Sequence, residues 1–359
     1  MFELVHFEIA DKRKLSIYLG ILIGVCFGIL AQRTKICFTS ALIVRRPNQD
    51  TTLWISALVM ALAGTQIMIF FGFISFNEHR FLRNELPWLS IITGGLLFGG
   101  GMVLTRGCVS RLTVLAGTGN LRAAMVLLIF GIVAHASLKG ILSRPISLIK
   151  EITVNTEKFL TAEGMLIITV AASVILFFWC IFIMHQTKPK LIKLLFACMI
   201  GLLVPISWVG TGYILLDEFN PIALESISYT KPYADTLFWI MASSAIPANF
   251  GVGLVCGTVC GSIIASLLAK EFRVLTFESK TQTMRYFVGA SMMGTGGVLA
   301  GGCSIGAGLA GLPSMGLATI LATFSFILGG LLCKSFLESK AFLSVYAGSL
   351  DKQTLLQAK

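Results

Sequence analysis

Charged side chains are scarce in this chain. Only 13% of its 359 residues are Asp, Glu, Lys or Arg, against about 25% in a typical soluble domain. The shortage extends along the whole sequence, and no stretch is polar enough to form a separate soluble domain. A soluble globular protein is therefore excluded.

The signatures of several kinds of chemistry are missing as well. The chain has no Walker motif and no H-E-x-x-H string, so it does not drive transport with ATP by itself and shows no machinery for hydrolysis. Its nine cysteines lack the spacing of a zinc site. We predict no metal, no cofactor and no enzymatic activity. The net charge of +11 comes without a basic run interleaved with aromatic residues, which argues against nucleic-acid binding.

Long apolar runs are present instead. Apolar residues make up 56% of the chain, and the mean hydropathy is +0.87. We predict an all-α polytopic membrane protein that forms a single integral-membrane domain over 1–359, because each run can cross a hydrocarbon core of about 30 Å. The N-terminal residues do not resemble a cleavable signal. The nine predicted crossings are 15–31, 53–75, 88–104, 122–142, 164–184, 191–216, 250–269, 285–300 and 315–335.

Four apolar stretches are too short to cross the membrane by themselves. Stretches of this length indicate re-entrant segments or half-helices. Irregular backbone at membrane depth survives where it lines a cavity or is buried in protein. These short stretches are 36–44, 109–117, 237–246 and 304–312.

A glycine-rich pattern that ends in cysteine occurs twice. The two copies, GGLLFGGGMVLTRGC and GASMMGTGGVLAGGC, end at Cys108 and Cys303, 195 residues apart. A duplicated, helix-breaking motif in the membrane is typical of a transport path at a repeat interface. Five positions besides the cysteine are shared, namely Gly94 with Gly289, Gly99 with Gly294, Gly101 with Gly296, Leu104 with Leu299, and Gly107 with Gly302.

Basic loops predict how the two copies are oriented. The loops around 185–193 and 270–286 carry lysine and arginine, which places them in the cytoplasm. Counting crossings from these loops makes the two motif helices antiparallel. The prediction is an inverted pseudo-repeat with halves of roughly 15–142 and 191–335, in a multi-pass protein of the cell inner membrane.

A third cysteine, Cys37, follows a ladder of glycines in the first crossing. Such small-residue ladders let helices approach closely. A second ladder has the same spacing, and aligning the two places Lys270 opposite Cys37. This alignment predicts that the third thiol has no counterpart in the second half. The two ladders are Gly20, Gly24 and Gly28, and Gly253, Gly257 and Gly261.

The residues around the cysteines favour an anion. A short helix beginning after Cys108 or Cys303 would offer free N–H groups and the positive end of its dipole. The glycine that precedes each cysteine would let the backbone turn sharply. Arg33 and Arg106 either attract the anion or lie at the lipid headgroups. The candidate path residues are Cys37, Cys108, Cys303, Gly107, Gly302, Ser304, Arg106 and Arg33.

On these motifs the chain resembles the YeeE/YedE family of membrane proteins for sulfur compounds. The matching stretches are 32–41, 94–108, 270–274 and 296–311. The resemblance implies nine crossings, short re-entrant helices, and uptake of thiosulfate past three cysteines, which by motif are Cys37, Cys108 and Cys303. The reading Arg106-Gly107-Cys108 departs from the Gly-Gly-Cys of thiosulfate-type members and resembles an RGC-type subgroup. The substrate is therefore either thiosulfate or a related sulfur or selenium anion.

Two functions remain open at this point. The first is an inner-membrane permease that imports the anion along the cysteines, in contact with the lipid bilayer and with a cytoplasmic sulfurtransferase as a partner. The second is a membrane thiol enzyme or sulfurtransferase subunit that passes sulfane sulfur or electrons across a cysteine pair.

Overall fold

The structure, a computed structural model, describes residues 2–43, 47–74, 76, 85–155, 162–215, 223–244, 246–277 and 279–357. Helices account for nearly all of its regular structure. The first half contains α1 (Phe2–Thr34), α2 (Phe38–Leu42), α3 (Gln49–Phe70), α4 (Trp88–Leu104), α5 (Val109–Gly117), α6 (Leu121–Lys139) and α7 (Ser143–Lys150). The second contains α8 (Ala162–Thr187), α9 (Leu191–Val209), α10 (Thr230–Met241), α11 (Phe250–Leu268), α12 (Lys280–Leu299) and α13 (Leu317–Gln357).

Short elements complete the fold. Gly210–Ile214 and Ser304–Leu309 are π-helical, and Leu312–Ser314 forms a single 3-10 turn. The strands Glu85–Leu86 and Val154–Asn155 pair antiparallel.

Eight helical stretches in the described ranges are long and apolar enough to cross a membrane. They confirm the polytopic all-α class. The crossing expected at 164–184 falls in α8, whose described apolar part covers Ile175–Thr187. Two of the eight stretches, Trp88–Gly117 and Lys280–Leu309, each join a motif helix to the short helix that follows its cysteine. The predicted short segments after Cys108 and Cys303 thus continue an interrupted crossing.

The glycine ladders bring α1 and α11 together. A Cβ on Gly20 would lie 2.3 Å from the carbonyl oxygen of Phe250, and one on Gly28 would lie 2.4 Å from that of Thr258. These contacts advance along both helices in the same direction, so the two helices are parallel. Replacing such a glycine would force the backbones apart, since no side chain fits at this distance.

The two motif helices, α4 and α12, cross each other antiparallel. A Cβ on Gly94 would lie 2.4 Å from the backbone nitrogen of Ala300, and one on Gly101 would lie 2.6 Å from the carbonyl oxygen of Gly289. The contacts run in opposite directions along the two helices, as the count of crossings predicted. The Ser90 hydroxyl of α4 also donates a hydrogen bond to the carbonyl oxygen of Leu299, at 2.8 Å.

The packing of the bundle repeats itself. The pair α1 and α11 has its equivalent in α9 and α3, and both pairs are parallel. The pair α4 and α13 has its equivalent in α12 and α6. Aligned glycines even meet equivalent atoms. A Cβ on Gly99 would approach the carbonyl oxygen of Phe326, and one on Gly294 would approach that of Phe130. The contact pattern is that of an inverted repeat, and the exact limits of its halves stay a prediction.

The alignment that placed Lys270 opposite Cys37 is wrong. The two glycine ladders face each other within one helix pair, α1 with α11. In the repeated packing the helix that corresponds to α1 is α9, and the one that corresponds to α11 is α3. The ladders are similar because close parallel helices need small residues on both faces, and their similarity does not make them repeat equivalents.

Candidate functional site

Each of the three predicted cysteines immediately precedes a short helical segment. Cys37 precedes α2, Cys108 precedes α5, and Cys303 precedes the π-helical segment Ser304–Leu309. All three are buried and reduced. The sequence therefore places three thiols in the interior of the bundle, at points where the helices are interrupted.

The sharp turn of each motif lies one position earlier than predicted. Arg106 has a φ of 60° and Gly301 a φ of 77°, so the left-handed residue is two positions before the cysteine. In the first motif the N–H of Gly107 bonds to the carbonyl oxygen of Met102, and that of Arg106 to Val103, which closes α4 with a Schellman motif. Gly107 and Gly302 are buried but do not supply the left-handed turn.

Cys37 and Cys108 form a pair of neighbouring thiols. Their side chains interact with each other, and the backbone N–H of Phe38 also interacts with the Cys108 sulfur. The Cys108 sulfur lies 3.3 Å from the hydroxyl oxygen of Ser110. The first interruption (after α1) and the second (after α4) thus meet at one place, which we call the thiol pair.

A small cavity of about 10 Å³ adjoins the thiol pair. This volume is close to the minimum that holds one water molecule. Cys37, Trp54 and Arg111 contribute to its wall, as does Ile305, which follows Cys303 in the second motif. Residues of both halves of the molecule therefore surround the same space.

Two donor groups in this wall are buried without a partner. The Nε1 of Trp54 and the Nη1 of Arg111 make no hydrogen bond with any described residue. Both groups only donate, and leaving such groups unsatisfied costs about 1–3 kcal/mol each, more for a charged one. Donors without partners, one of them cationic, indicate a place for an anion.

Cys303 has a different set of neighbours. Its sulfur accepts a hydrogen bond from the backbone N–H of Gly306 at 3.3 Å. Ser304 is buried, and its hydroxyl has no partner among the described residues. Ser304 lies within a G-x-S-x-G string, but no base among the described residues is hydrogen-bonded to its hydroxyl, as an activated nucleophile would require. Tyr229 is fully buried and near enough to interact electrostatically with both Cys303 and Cys108.

The two predicted path arginines do not line the cavity beside the thiol pair. Arg33 and Arg106 are both exposed, at the ends of α1 and α4. The buried cationic atom in the wall of this cavity belongs to Arg111 instead. Arg111 was not among the path residues chosen from the sequence. Trp54 and Tyr229 were missed altogether, because a single aromatic residue in an apolar run carries no signal of function.

A second, larger cavity of about 360 Å³ lies along α10, from Lys231 to Trp239. Lys139, Lys231, Asp235 and Asn249 contribute polar groups to its wall. Lys231 also forms an ion pair with Glu225. This cavity, which we call the vestibule, is wide enough for a small hydrated ion and adjoins the helix that begins after Tyr229.

Membrane-length helices, two of them interrupted at buried thiols, define a multi-pass membrane protein with the build of a transporter. Comparison with known proteins agrees with this class. Residues 33–332 match the family described as "Sulphur transport". The chain belongs to this family, as the cysteine motifs predicted.

Relatives in this comparison carry transporter names. A thiosulfate transporter, TsuA, from Spirochaeta thermophila is 26% identical over 87% of this chain and 96% of its own length. The TsuA of Escherichia coli is 27% identical over 81% of this chain and 86% of its own length. A probable transporter, YedE, from Salmonella typhimurium is 35% identical over 25% of this chain and 21% of its own length.

Proposed function

We propose that this protein is a permease that imports thiosulfate, or a closely related sulfur- or selenium-containing anion, across the cell inner membrane. The anion passes Cys37, Cys108 and Cys303. The observation that carries the proposal is the pair of unpartnered donors on Trp54 and Arg111, buried beside the thiol pair. The names of the TsuA relatives support thiosulfate as the substrate.

The chemistry of the thiol pair suits thiosulfate. Its outer sulfur is a soft, weak acceptor, and a thiol is a weak donor. Its oxygens are harder acceptors, which suit the guanidinium of Arg111 and the indole N–H of Trp54. Weak contacts at successive sites let an ion enter and leave, as conduction requires.

Passage requires the cavity beside Cys37 to widen. About 10 Å³ is too little for thiosulfate. Interrupted helices can provide the motion, because their short segments are held by fewer backbone bonds than a continuous helix. The permease would thus open and close around the thiols while the α4–α12 crossing stays packed.

Import needs a driving force. Moving a dianion against an inside-negative potential of 100 mV costs about 4.6 kcal/mol, at about 2.3 kcal/mol per charge. We propose that cytoplasmic consumption of the anion, with a sulfurtransferase as the consuming partner, keeps import downhill.

The function is tested by uptake of ³⁵S-labelled thiosulfate into proteoliposomes that hold the purified protein. We expect uptake above that of protein-free liposomes, reduced by unlabelled thiosulfate. Competition with sulfate, sulfite and selenite ranks the substrates: sulfate lacks the soft sulfur and should compete least. No uptake by folded wild-type protein would contradict the proposal.

The closeness of Cys37 and Cys108 also fits the thiol-enzyme alternative. In that function a thiolate attacks the outer sulfur of thiosulfate and the S–S bond of thiosulfate breaks. Sulfite leaves, and the cysteine becomes a persulfide. Mass spectrometry of the thiosulfate-treated protein distinguishes the two functions. The permease predicts unmodified cysteines and no sulfite, whereas the enzyme predicts a persulfide on one of them.

A further inference from the structure

Tyr229 occupies in the second half the place that Cys37 occupies in the first. Cys37 immediately precedes α2, and Tyr229 immediately precedes α10. Their separation of 192 residues is close to the 195 residues between Cys108 and Cys303. The following helices also correspond: α2 packs on α3 and α10 packs on α11, and those two long helices begin at the capping residues Asn48 and Asn249.

The surroundings of Tyr229 resemble a binding site more than a packed core. Its ring is fully buried and lies near both Cys303 and Cys108. Two buried hydroxyls belong to residues beside it or beside Cys303, those of Thr230 and Ser304, and neither has a hydrogen-bond partner among the described residues. Buried hydroxyls are nearly always bonded, so two unpartnered ones, one adjacent in sequence to Tyr229 and one adjacent to Cys303, point to a polar ligand.

We propose that Tyr229, Thr230, Cys303 and Ser304 form a second anion-binding station, the counterpart of the station at Cys37, Cys108 and Arg111. The inference rests on the proposed function, because it assumes that the anion travels past the thiols. The new assignment is that hydroxyls of Tyr229 and Thr230 bind the oxygens of the anion while it lies next to Cys303.

The hydroxyl of Tyr229 is free to change partner. In this structure it pairs with the hydroxyl of Thr258 at 3.0 Å, and the Thr258 hydroxyl itself donates to the carbonyl oxygen of Leu254. Tyr229 is therefore the donor in the pair. Rotation about the C–O bond of the phenol turns the O–H donor towards an anion without moving the ring, which remains packed near Phe27.

The test compares Tyr229→Phe with two controls in the thiosulfate uptake assay. Tyr229→Phe keeps the ring and removes the donor, so we expect about tenfold slower uptake at low thiosulfate, the loss expected for a hydrogen bond to a charged ligand. Tyr233→Phe removes the hydroxyl of a neighbouring, half-buried tyrosine that bonds to Thr113. Thr258→Val removes the present partner of Tyr229. Both controls should keep at least half of the wild-type rate.

Thr230→Val provides a second variant that does not depend on the folding of Tyr229→Phe. Its hydroxyl loses no hydrogen bond to any residue that the structure describes, so the melting temperature should stay at the wild-type value while uptake at low thiosulfate falls several-fold. Wild-type rates in both Tyr229→Phe and Thr230→Val would overturn the station and leave the permease intact. An equal loss in Tyr229→Phe and Thr258→Val would also overturn it, since the hydroxyl pair would then be structural. Absence of uptake in wild-type protein would overturn the permease itself.

Discussion

The regions around Cys108 and Cys303 share one scaffold and differ in chemistry. Each cysteine follows a glycine-rich helix that ends in a left-handed residue, and each lies at the start of a short helical segment. Beside Cys108 is a second thiol, Cys37, and the cavity that Cys37 lines has Arg111, with its buried Nη1, in its wall. Beside Cys303 are the phenol of Tyr229 and the hydroxyl of Ser304. A duplicated fold has thus kept its geometry while its two halves took on different donors.

The difference bears on how an anion can move. A cation at both stations would bind a dianion tightly at each of them. Neutral donors at the second station instead give the dianion a place to move to, which lowers the cost of leaving the cationic first station. Conduction needs sites that are favourable but weak enough to release the ion. The contrast between a cationic first station and a hydroxyl-rich second one can be broken or sharpened by substitutions at matched positions.

Loss of either motif thiol should have the largest effect. We expect Cys108→Ala and Cys303→Ala to abolish thiosulfate uptake, because each removes the soft donor of its station. Cys256→Ala is the matched control, since Cys256 is exposed on α11 and does not line the cavity beside the thiol pair. Folded variants are identified by their size-exclusion profile. Normal uptake in both motif variants would show that the thiols are only small packing residues.

The charge at the first station should matter next. Arg111→Met removes the buried cationic donor, and we expect uptake at low thiosulfate to fall about tenfold to a hundredfold, as for a lost charged hydrogen bond of about 1.5–3 kcal/mol. Arg106→Met is the matched control, because Arg106 is exposed. Uptake by Arg111→Met, measured side by side with Arg106→Met, should be at least about tenfold slower. Equal rates in the two variants would remove Arg111 from the path.

The hydroxyl at the second station should have a smaller effect, and one that separates function from stability. Ser304→Ala removes a hydroxyl that has no partner in the described part of the chain, so uptake should fall a few-fold with no loss of stability. Ser90→Ala removes a hydroxyl that bonds α4 to α12, and should cost about 1 kcal/mol of stability with little change in uptake. Thermal unfolding in detergent and uptake together check the pair. A drop in melting temperature for Ser304→Ala would indicate a structural hydroxyl.

The smallest effect is expected at the left-handed turn. Arg106→Gly copies the glycine that the second motif has at Gly301, and it relieves a non-glycine residue at a φ of 60°. We expect a gain in stability of about 1 kcal/mol and unchanged uptake. Thermal unfolding of the variant is the measurement. A loss of stability would mean that the exposed arginine side chain makes contacts that outweigh the backbone strain.

The sequence predicted the helical membrane fold and the antiparallel motif helices because these follow from local signals. Apolar runs have a length that matches the bilayer. The two motifs, which begin at Gly94 and Gly289, share the same spacing of glycines. The alignment of the glycine ladders, which paired Cys37 with Lys270, was wrong because both helices of the α1–α11 contact need small residues. Similarity between two segments does not distinguish helices that correspond in the repeat from helices that pack on each other.

The composition of the site was predictable only in part. Three thiols could be chosen because cysteine and glycine mark the interruptions in the helices. Arg106 and Arg111 could not be told apart by sequence, since they are five residues apart and only the Schellman turn at Arg106 decides which one faces the interior. Trp54 and Tyr229 reach the thiols from distant helices, so their roles depend on tertiary packing.

The central claim is that one anion visits two stations, and it is tested most directly by locating the anion. Selenosulfate, in which selenium replaces the outer sulfur of thiosulfate, allows its reactive atom to be found by anomalous scattering in crystals of the wild-type protein. The account predicts selenium at one or both of two places, next to Cys37 and Cys108 near Arg111, and next to Cys303 near Tyr229. Selenium bound elsewhere in the bundle, with neither station occupied at saturating selenosulfate, would contradict it.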